Sequence, residues 1–312
     1  MKELEFQPAA RERYRITFDY LFLALRALCL AFAIGAFGFV HLWGFAGWDR
    51  WIAITGVAVP LTILACWRRG GTLAWLTVMV GLMVFLEGRA RADELGMPLH
   101  TGDLLHAEQF LFLGITPSHA LQSLFLKPGQ LRTLDYFSVG IHFSYFFVPY
   151  LALLGVWLVN PHSTHRLSQL LVLIFIVSLV IYALLPATPP WLAAYEEGAP
   201  KIYRIVHFVV TTVNPETYDR AYQNIGDPNP TAALPSVHFA ITFMLFLCSL
   251  GKRRLWSILA ASYLLAMAWA LVYLGEHYVI DLALGALVAW GAWYGYRRFG
   301  GRMDREPSRV DT

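Results

Sequence analysis

Long apolar stretches separated by short polar ones dominate this chain. A helix needs roughly 20 apolar residues to cross a hydrocarbon core about 30 Å thick. On that rule about eight stretches qualify: 21–43, 51–67, 72–88, 135–158, 167–187, 234–250, 255–275 and 278–296. The pattern predicts an all-α fold, a polytopic membrane helix bundle in which each span satisfies its own backbone polar groups. Residues 1–70 form an N-terminal segment with two spans, 71–297 the main membrane domain, and 298–312 a tail. No repeat or low-complexity segment breaks the pattern. The run from Leu21 to Trp43 exceeds the roughly 7–15 apolar residues of a secretory signal, so it reads as a retained first helix.

The connections alternate in charge. Arg68 and Arg69, then His162, His165 and Arg166, then Lys252, Arg253 and Arg254, then Arg297, Arg298 and Arg302 occupy every second one, in step with Arg11, Arg13 and Arg15 at the start. The positive-inside rule then puts both termini in the cytoplasm. The compact chain fits a bacterial inner membrane. Two of the outward connections are long, about 89–134 and 188–233, and long loops in a compact protein are usually functional. Lys201, Arg204 and His207, spaced i, i+3, i+6, suit a helix lying on the headgroup plane or, equally, a solvated helical face.

Composition agrees with a membrane bundle: 57% of residues are hydrophobic and 14% charged, against roughly 25% charged in soluble domains. The net charge of +3 is spread over short clusters, which argues against a nucleic-acid partner. Cys29, Cys66 and Cys248 each sit in an apolar run without CxxC spacing, so neither a disulfide framework nor a zinc site is expected.

Polar residues gather at the outer ends of the last three spans. The sixth opens with Leu234-Pro235-Ser236-Val237-His238. Proline suits the first turn of a helix, and the free N–H groups there make an anion site, to which Ser236 adds a hydroxyl. Between the seventh and eighth spans, His277 and Asp281 are four apart and share one face if the last helix begins near Glu276. A carboxylate so placed fixes the imidazole tautomer and leaves the other nitrogen as nucleophile or base. Two histidines, a carboxylate and a serine on successive helix ends point to a functional site. His238, His277, Asp281 and Glu276 are also of the types that bind divalent ions.

These motifs resemble the type 2 phosphatidic acid phosphatase superfamily of membrane enzymes. Its PSGH signature matches Pro235-Ser236-Val237-His238, and the end of its SRxxxxxHxxxD signature matches His277 to Asp281, with Gly285 following. The resemblance implies a six-helix core, no cofactor and no metal. It implies that His277 becomes a phosphohistidine, Asp281 orients it, His238 protonates the leaving group and Ser236 helps hold the phosphate. Ala270 and Leu271 stand where the family's Ser-Arg pair would fall, and its KxxxxxxRP signature does not occur. Both departures are similar to the branch of inositol phosphorylceramide synthases and their bacterial relatives. So are Thr188-Pro189-Pro190-Trp191, Thr116-Pro117-Ser118-His119-Ala120-Leu121-Gln122 and His142-Phe143-Ser144-Tyr145-Phe146.

That branch implies a phosphotransferase moving a phosphoinositol-like headgroup from a phospholipid donor to a lipid or sugar hydroxyl. With water as acceptor the same histidines make a lipid phosphate phosphatase. A non-catalytic lipid-binding or transport protein is the alternative from another class, though the inverted repeats common in transporters are missing from the pattern. The phosphate needs compensating cations. Arg89 and Arg91, directly after the third span, are the first candidates, ahead of Lys127 and Arg132. Gln122, His142 and Ser144 are candidate pocket residues, or simply interhelical hydrogen-bonding groups.

Overall fold

A computed structural model of the chain describes residues 72–127, 129–197, 199–213 and 229–299. The expected spans 21–43 and 51–67 lie outside the described residues. The chain clusters into two compact units, 1–79 and 80–312; of the first, only the opening turns of one helix are described. The described residues form eleven α-helices and no strand.

In order, the helices are α1 (Thr72–Ala90), α2 (Asp103–Leu111), α3 (Pro117–Phe125), α4 (Thr133–Ser144), α5 (Val148–Val159), α6 (Pro161–Leu184), α7 (Pro190–Glu196), α8 (Ile205–Val213), α9 (Val237–Ser249), α10 (Arg254–Tyr273) and α11 (Val279–Phe299). Among the described residues, four stretches are long and apolar enough to cross a membrane: Leu73–Ala90, Ser163–Leu184, Arg254–Tyr273 and Val279–Arg298. The protein is an integral membrane protein of the all-α polytopic class.

Two predicted spans take a different form. The stretch 135–158 is not one rod. It breaks into α4 and α5, bent by 53°. Pro149 explains the bend: its ring would strike the Tyr145 carbonyl and it has no N–H to offer. At the break Tyr145, Phe146 and Phe147 bond back three residues instead of four. The stretch 234–250 yields only the 13 residues of α9. Pro235 does not open this helix. It precedes the N-cap, Ser236, whose side chain accepts the Phe239 N–H at 3.3 Å.

The described parts of both long connections, about 89–134 and 188–233, contain helices. The first contains α2 and α3, the second α7 and α8. Their extended parts are stitched by isolated parallel bridges from His100 to Ala187 and from Ala187 to Ala232. Lys201 and Arg204 precede α8 and do not form the surface helix that their spacing suggests; only His207 is in it. One buried cluster joins Val139 of α4, Ile205, Val206 and Val209 of α8, and Ala270, Tyr273 and Leu274 at the end of α10. The segment of α8 is thereby packed onto the turn between α10 and α11.

Candidate active site

The turn after α10 is built by a glycine. Gly275 has φ +76°, a left-handed conformation that costs glycine little. The Glu276 N–H reaches back to Leu271 O and the Gly275 N–H to Val272 O, each at 3.1 Å, which is the Schellman arrangement for closing a helix. His277 follows at once, 6% exposed. The last helix starts at Val279, not near Glu276, so His277 lies in the turn and not on the helix face.

Asp281 nevertheless meets His277. Its Oδ2 is 3.2 Å from His277 Nδ1 and accepts the Tyr278 N–H at 2.9 Å. A carboxylate at the third helical position accepting the N-cap N–H is half of a capping box. The same oxygen therefore caps α11 and orients the imidazole. Asp281 is fully buried. With Nδ1–H directed at the carboxylate, Nε2 carries the lone pair.

His238 approaches from α9. Its ring centroid is 5.7 Å from that of His277, with the planes inclined at 59°. Its buried Nε2 has no hydrogen-bond partner among the described residues. The two helices are locked together beneath the histidines. The Ser236 N–H donates to Asp281 O at 3.1 Å, and a Cβ on Gly285 would lie 2.5 Å from Ser236 O. Only glycine permits this crossing, in keeping with the small residues that line tight membrane helix contacts. The bend between α4 and α5 roofs His238: His142 stacks on it at 4.8 Å and Tyr145 lies at 4.2 Å.

The remaining candidates separate into those near this centre and those elsewhere. Arg89 donates to Asn229 O at 3.3 Å, and its positive charge acts on both His238 and Tyr145. Arg91 pairs with Glu87 at 2.6 Å, with its side chain 60% exposed. Arg132 is the N-cap of α4 and Lys127 sits in an exposed turn. Gln122 donates to the carbonyls of Tyr203 and Tyr273 and accepts the Tyr203 N–H. It is a brace that holds the segment before α8 to the end of α10. Ser144 pairs with Tyr263. Ser236 is fully buried as the cap of α9.

Two residues near the centre are not legible as such in the sequence. Arg204 Nε donates to Glu276 at 3.0 Å, and its guanidinium lies 4.6 Å from the Trp191 ring centre. A positive charge is thus held one residue from His277. Glu108, on α2, is fully buried and accepts the Val279 N–H at 2.6 Å. Burial pushes its carboxyl up to about 7, against the pull of the Val279 N–H and with a further push from the Asp281 charge. Among the described residues, no three His, Cys, Asp or Glu side chains form a metal-binding group.

No curated protein and no solved structure matches the chain. A family model described as the PAP2 superfamily matches residues 102–295. The matched region contains the histidine pair, Asp281, Ser236, Glu108 and Arg204, while Arg89 and Arg91 precede it. Members of this superfamily are typically lipid phosphatases and phosphotransferases. The match covers well over half of the 312 residues, so this chain belongs to the PAP2 superfamily, that of the type 2 phosphatidic acid phosphatases.

Proposed function

We propose that the protein transfers a phosphate-linked headgroup, phosphoinositol-like in character, from a phospholipid donor to a hydroxyl acceptor through a phosphohistidine on the outer face of the membrane. The observation that carries this reading is the His277–Asp281 contact with His238 across from it. His277 Nε2 attacks the donor phosphorus and the bond to the diacylglycerol oxygen breaks. His238, taking up a proton once the phosphate anion is bound beside it, gives that oxygen its proton. The acceptor hydroxyl then attacks phosphorus, its proton passes to His238, and the P–N bond breaks. Covalent catalysis divides one hard displacement into two easier ones, with one residue serving as acid and then as base.

Transfer is favoured over hydrolysis by enclosure. His277 is 6% exposed, Asp281 0% and His142 7%, and a closed site restricts water at the phosphoenzyme stage. Arg89 and Arg204 are the cations we assign to the phosphate. Their charges replace the one that the family's Ser-Arg pair would bring, since Ala270 and Leu271 stand in that place.

The test uses purified protein in detergent with a chelator present. A phosphatidylinositol-type donor and a hydroxylated lipid acceptor are supplied to wild type and His277→Ala, and products are followed by mass spectrometry. New phospholipid from the wild type alone is the expected result. Water-soluble headgroup phosphate from the wild type alone would make the protein a hydrolase with the same histidines. Equal turnover by both proteins would remove His277 from the chemistry.

A further inference from the structure

Glu108 lies 171 residues from the helix end that it touches. The first N–H groups of any helix lack internal partners. At the start of α11 two carboxylates share them: Asp281 takes the Tyr278 N–H and Glu108 takes the Val279 N–H. A carboxylate dedicated to a helix N-terminus is ordinary when exposed. Glu108 is fully buried, and its second oxygen has no hydrogen-bond partner among the described residues. Burial of a carboxylate at one hydrogen bond is costly. A neutral glutamine or a serine would cap the same N–H without that cost.

We propose that Glu108 is a positioning residue for His277: it clamps the N-terminus of α11 so that Asp281 is fixed against His277 Nδ1, and its charge state sets whether the carboxylate pair behind the nucleophile carries one negative charge or two. This rests on His277 being the nucleophile, but not on which acceptor is used. α2 packs on the starts of α7 and α11 through Leu105, Ala193 and Tyr278. The titratable groups near this packing are Asp281, Tyr278 and His277 from the α11 end, Tyr195 and Glu196 of α7 with its C-cap Glu197, and Asp103 and His106 of α2 itself. Neither α2, α7 nor the start of α11 carries a Lys or Arg to neutralise an ionised Glu108.

The consequence is directional. With Glu108 protonated, the single negative charge resides on Asp281, which receives the His277 Nδ1–H, and Nε2 is free to attack. When Glu108 ionises, near pH 7, a second negative charge opposes the incoming phosphate anion, which lowers the rate.

The experiment compares wild type, Glu108→Ala and Glu108→Gln in detergent. Histidine ring ¹⁵N spectra are recorded without substrate, with His277→Ala identifying the His277 signals. Rates are followed from about pH 5.5 to 8.5, a window that brackets the Glu108 titration. In Glu108→Ala, His277 is expected to lose its Nδ1–H tautomer preference, and kcat to fall about 10- to 100-fold with KM little changed. Glu108→Gln, which keeps an acceptor oxygen, is expected to restore the tautomer and most of the rate, and to lose the alkaline decline near pH 7. The proposal is overturned if Glu108→Ala keeps the wild-type tautomer and kcat, whether or not its thermal midpoint falls, because that would be a cap and nothing more. If Glu108→Ala does not fold, Glu108→Gln decides: a decline unchanged from wild type overturns the proposal. Because the spectra need no substrate, a failed transfer assay does not touch the tautomer result.

Discussion

The two histidines stand on helix ends built in opposite ways. The α9 end is local: Ser236 caps the Phe239 N–H three residues on, and His238 sits within the same turn. The α11 end is assembled from afar. His277 lies outside its helix, Asp281 reaches back to it, and Glu108 arrives from another helix 171 residues away. In the proposed roles, His238 as acid–base needs only to be near the leaving oxygen, whereas His277 as nucleophile needs a fixed tautomer and a fixed direction, and more groups are spent on it.

The largest expected effect separates those roles. His277→Ala should lower turnover by on the order of 10³-fold or more, about 4 kcal/mol of barrier. An aryl phosphodiester with a good leaving group sharpens the contrast, because its departing oxygen needs no proton. On that substrate His238→Ala should still show a burst of aryl alcohol and then stall, while His277→Ala shows no burst. A burst from His277→Ala would reverse the assignment of the two rings.

Stability against pH tests the long-range half of the comparison. The Glu108 carboxyl is pushed from 4.5 up to about 7 by burial. Between those values the folded chain holds a proton that the unfolded chain has released. Stability contributed by the protonated form is therefore complete below about 4.5 and declines as pH rises to about 7, where it levels off. The full loss is on the order of 3 kcal/mol. Glu108→Gln should show no such decline, so its thermal midpoint should match wild type near pH 4.5 and exceed it at about pH 8. Parallel curves for the two proteins would mean that the buried carboxyl ionises without cost.

This division explains what can be read from the chain alone. The helices, their apolar length and the Pro-Ser-Val-His and His-xxx-Asp clusters depend on residues close in sequence, and they are legible. Glu108 is not, because nothing local distinguishes it from a solvated residue on an amphipathic helix. Only the packing of α2 on the start of α11 gives it a partner. The spacing of Arg204 suggests a headgroup-plane helix, since i, i+3, i+6 is the same before a helix as within one; its partners Trp191 and Glu276 come from two other segments. Arg89 and Arg91 are indistinguishable in sequence. Two residues apart at the end of one helix, they point different ways, one toward Asn229 and the other to Glu87. The break in the fourth span is signalled by Pro149, but the apolar run conceals it.

Gly285 tests how firmly the two ends are coupled. A Cβ there meets the backbone oxygen of Ser236 at 2.5 Å, and no side chain can rotate away to admit it. Gly285→Ala must push α9 from α11, at about 1–3 kcal/mol. A displacement of about 1 Å between His238 and His277 should reduce kcat about 10²-fold. Gly291, on the same helix, has no atom of another described element within 4 Å of the place a methyl group would take. It supplies the control: Gly291→Ala should leave kcat as it is. If Gly285→Ala matches that control, the ring separation is not set by this crossing.

The smallest effect belongs to the local end. Ser236→Ala removes a cap worth about 1 kcal/mol, while the backbone bond from residue 236 to Asp281 O survives the change. For a chain of this size that is a fall of about 2–4 °C in thermal midpoint. Ser236 is fully buried and its oxygen is occupied by the Phe239 N–H, so KM should stay within about threefold, a change of under about 1 kcal/mol. The two readouts divide the roles of this side chain. A midpoint shift with constant KM makes Ser236 the structural counterpart of Glu108, each holding one histidine's helix in place. A rise in KM of about tenfold or more, roughly 1.4 kcal/mol, would show that the hydroxyl turns to the phosphate, as the family motif implies, and that the α9 end opens when substrate binds. The comparison would then be between a rigid nucleophile and an acid–base residue whose helix cap is shared with the substrate.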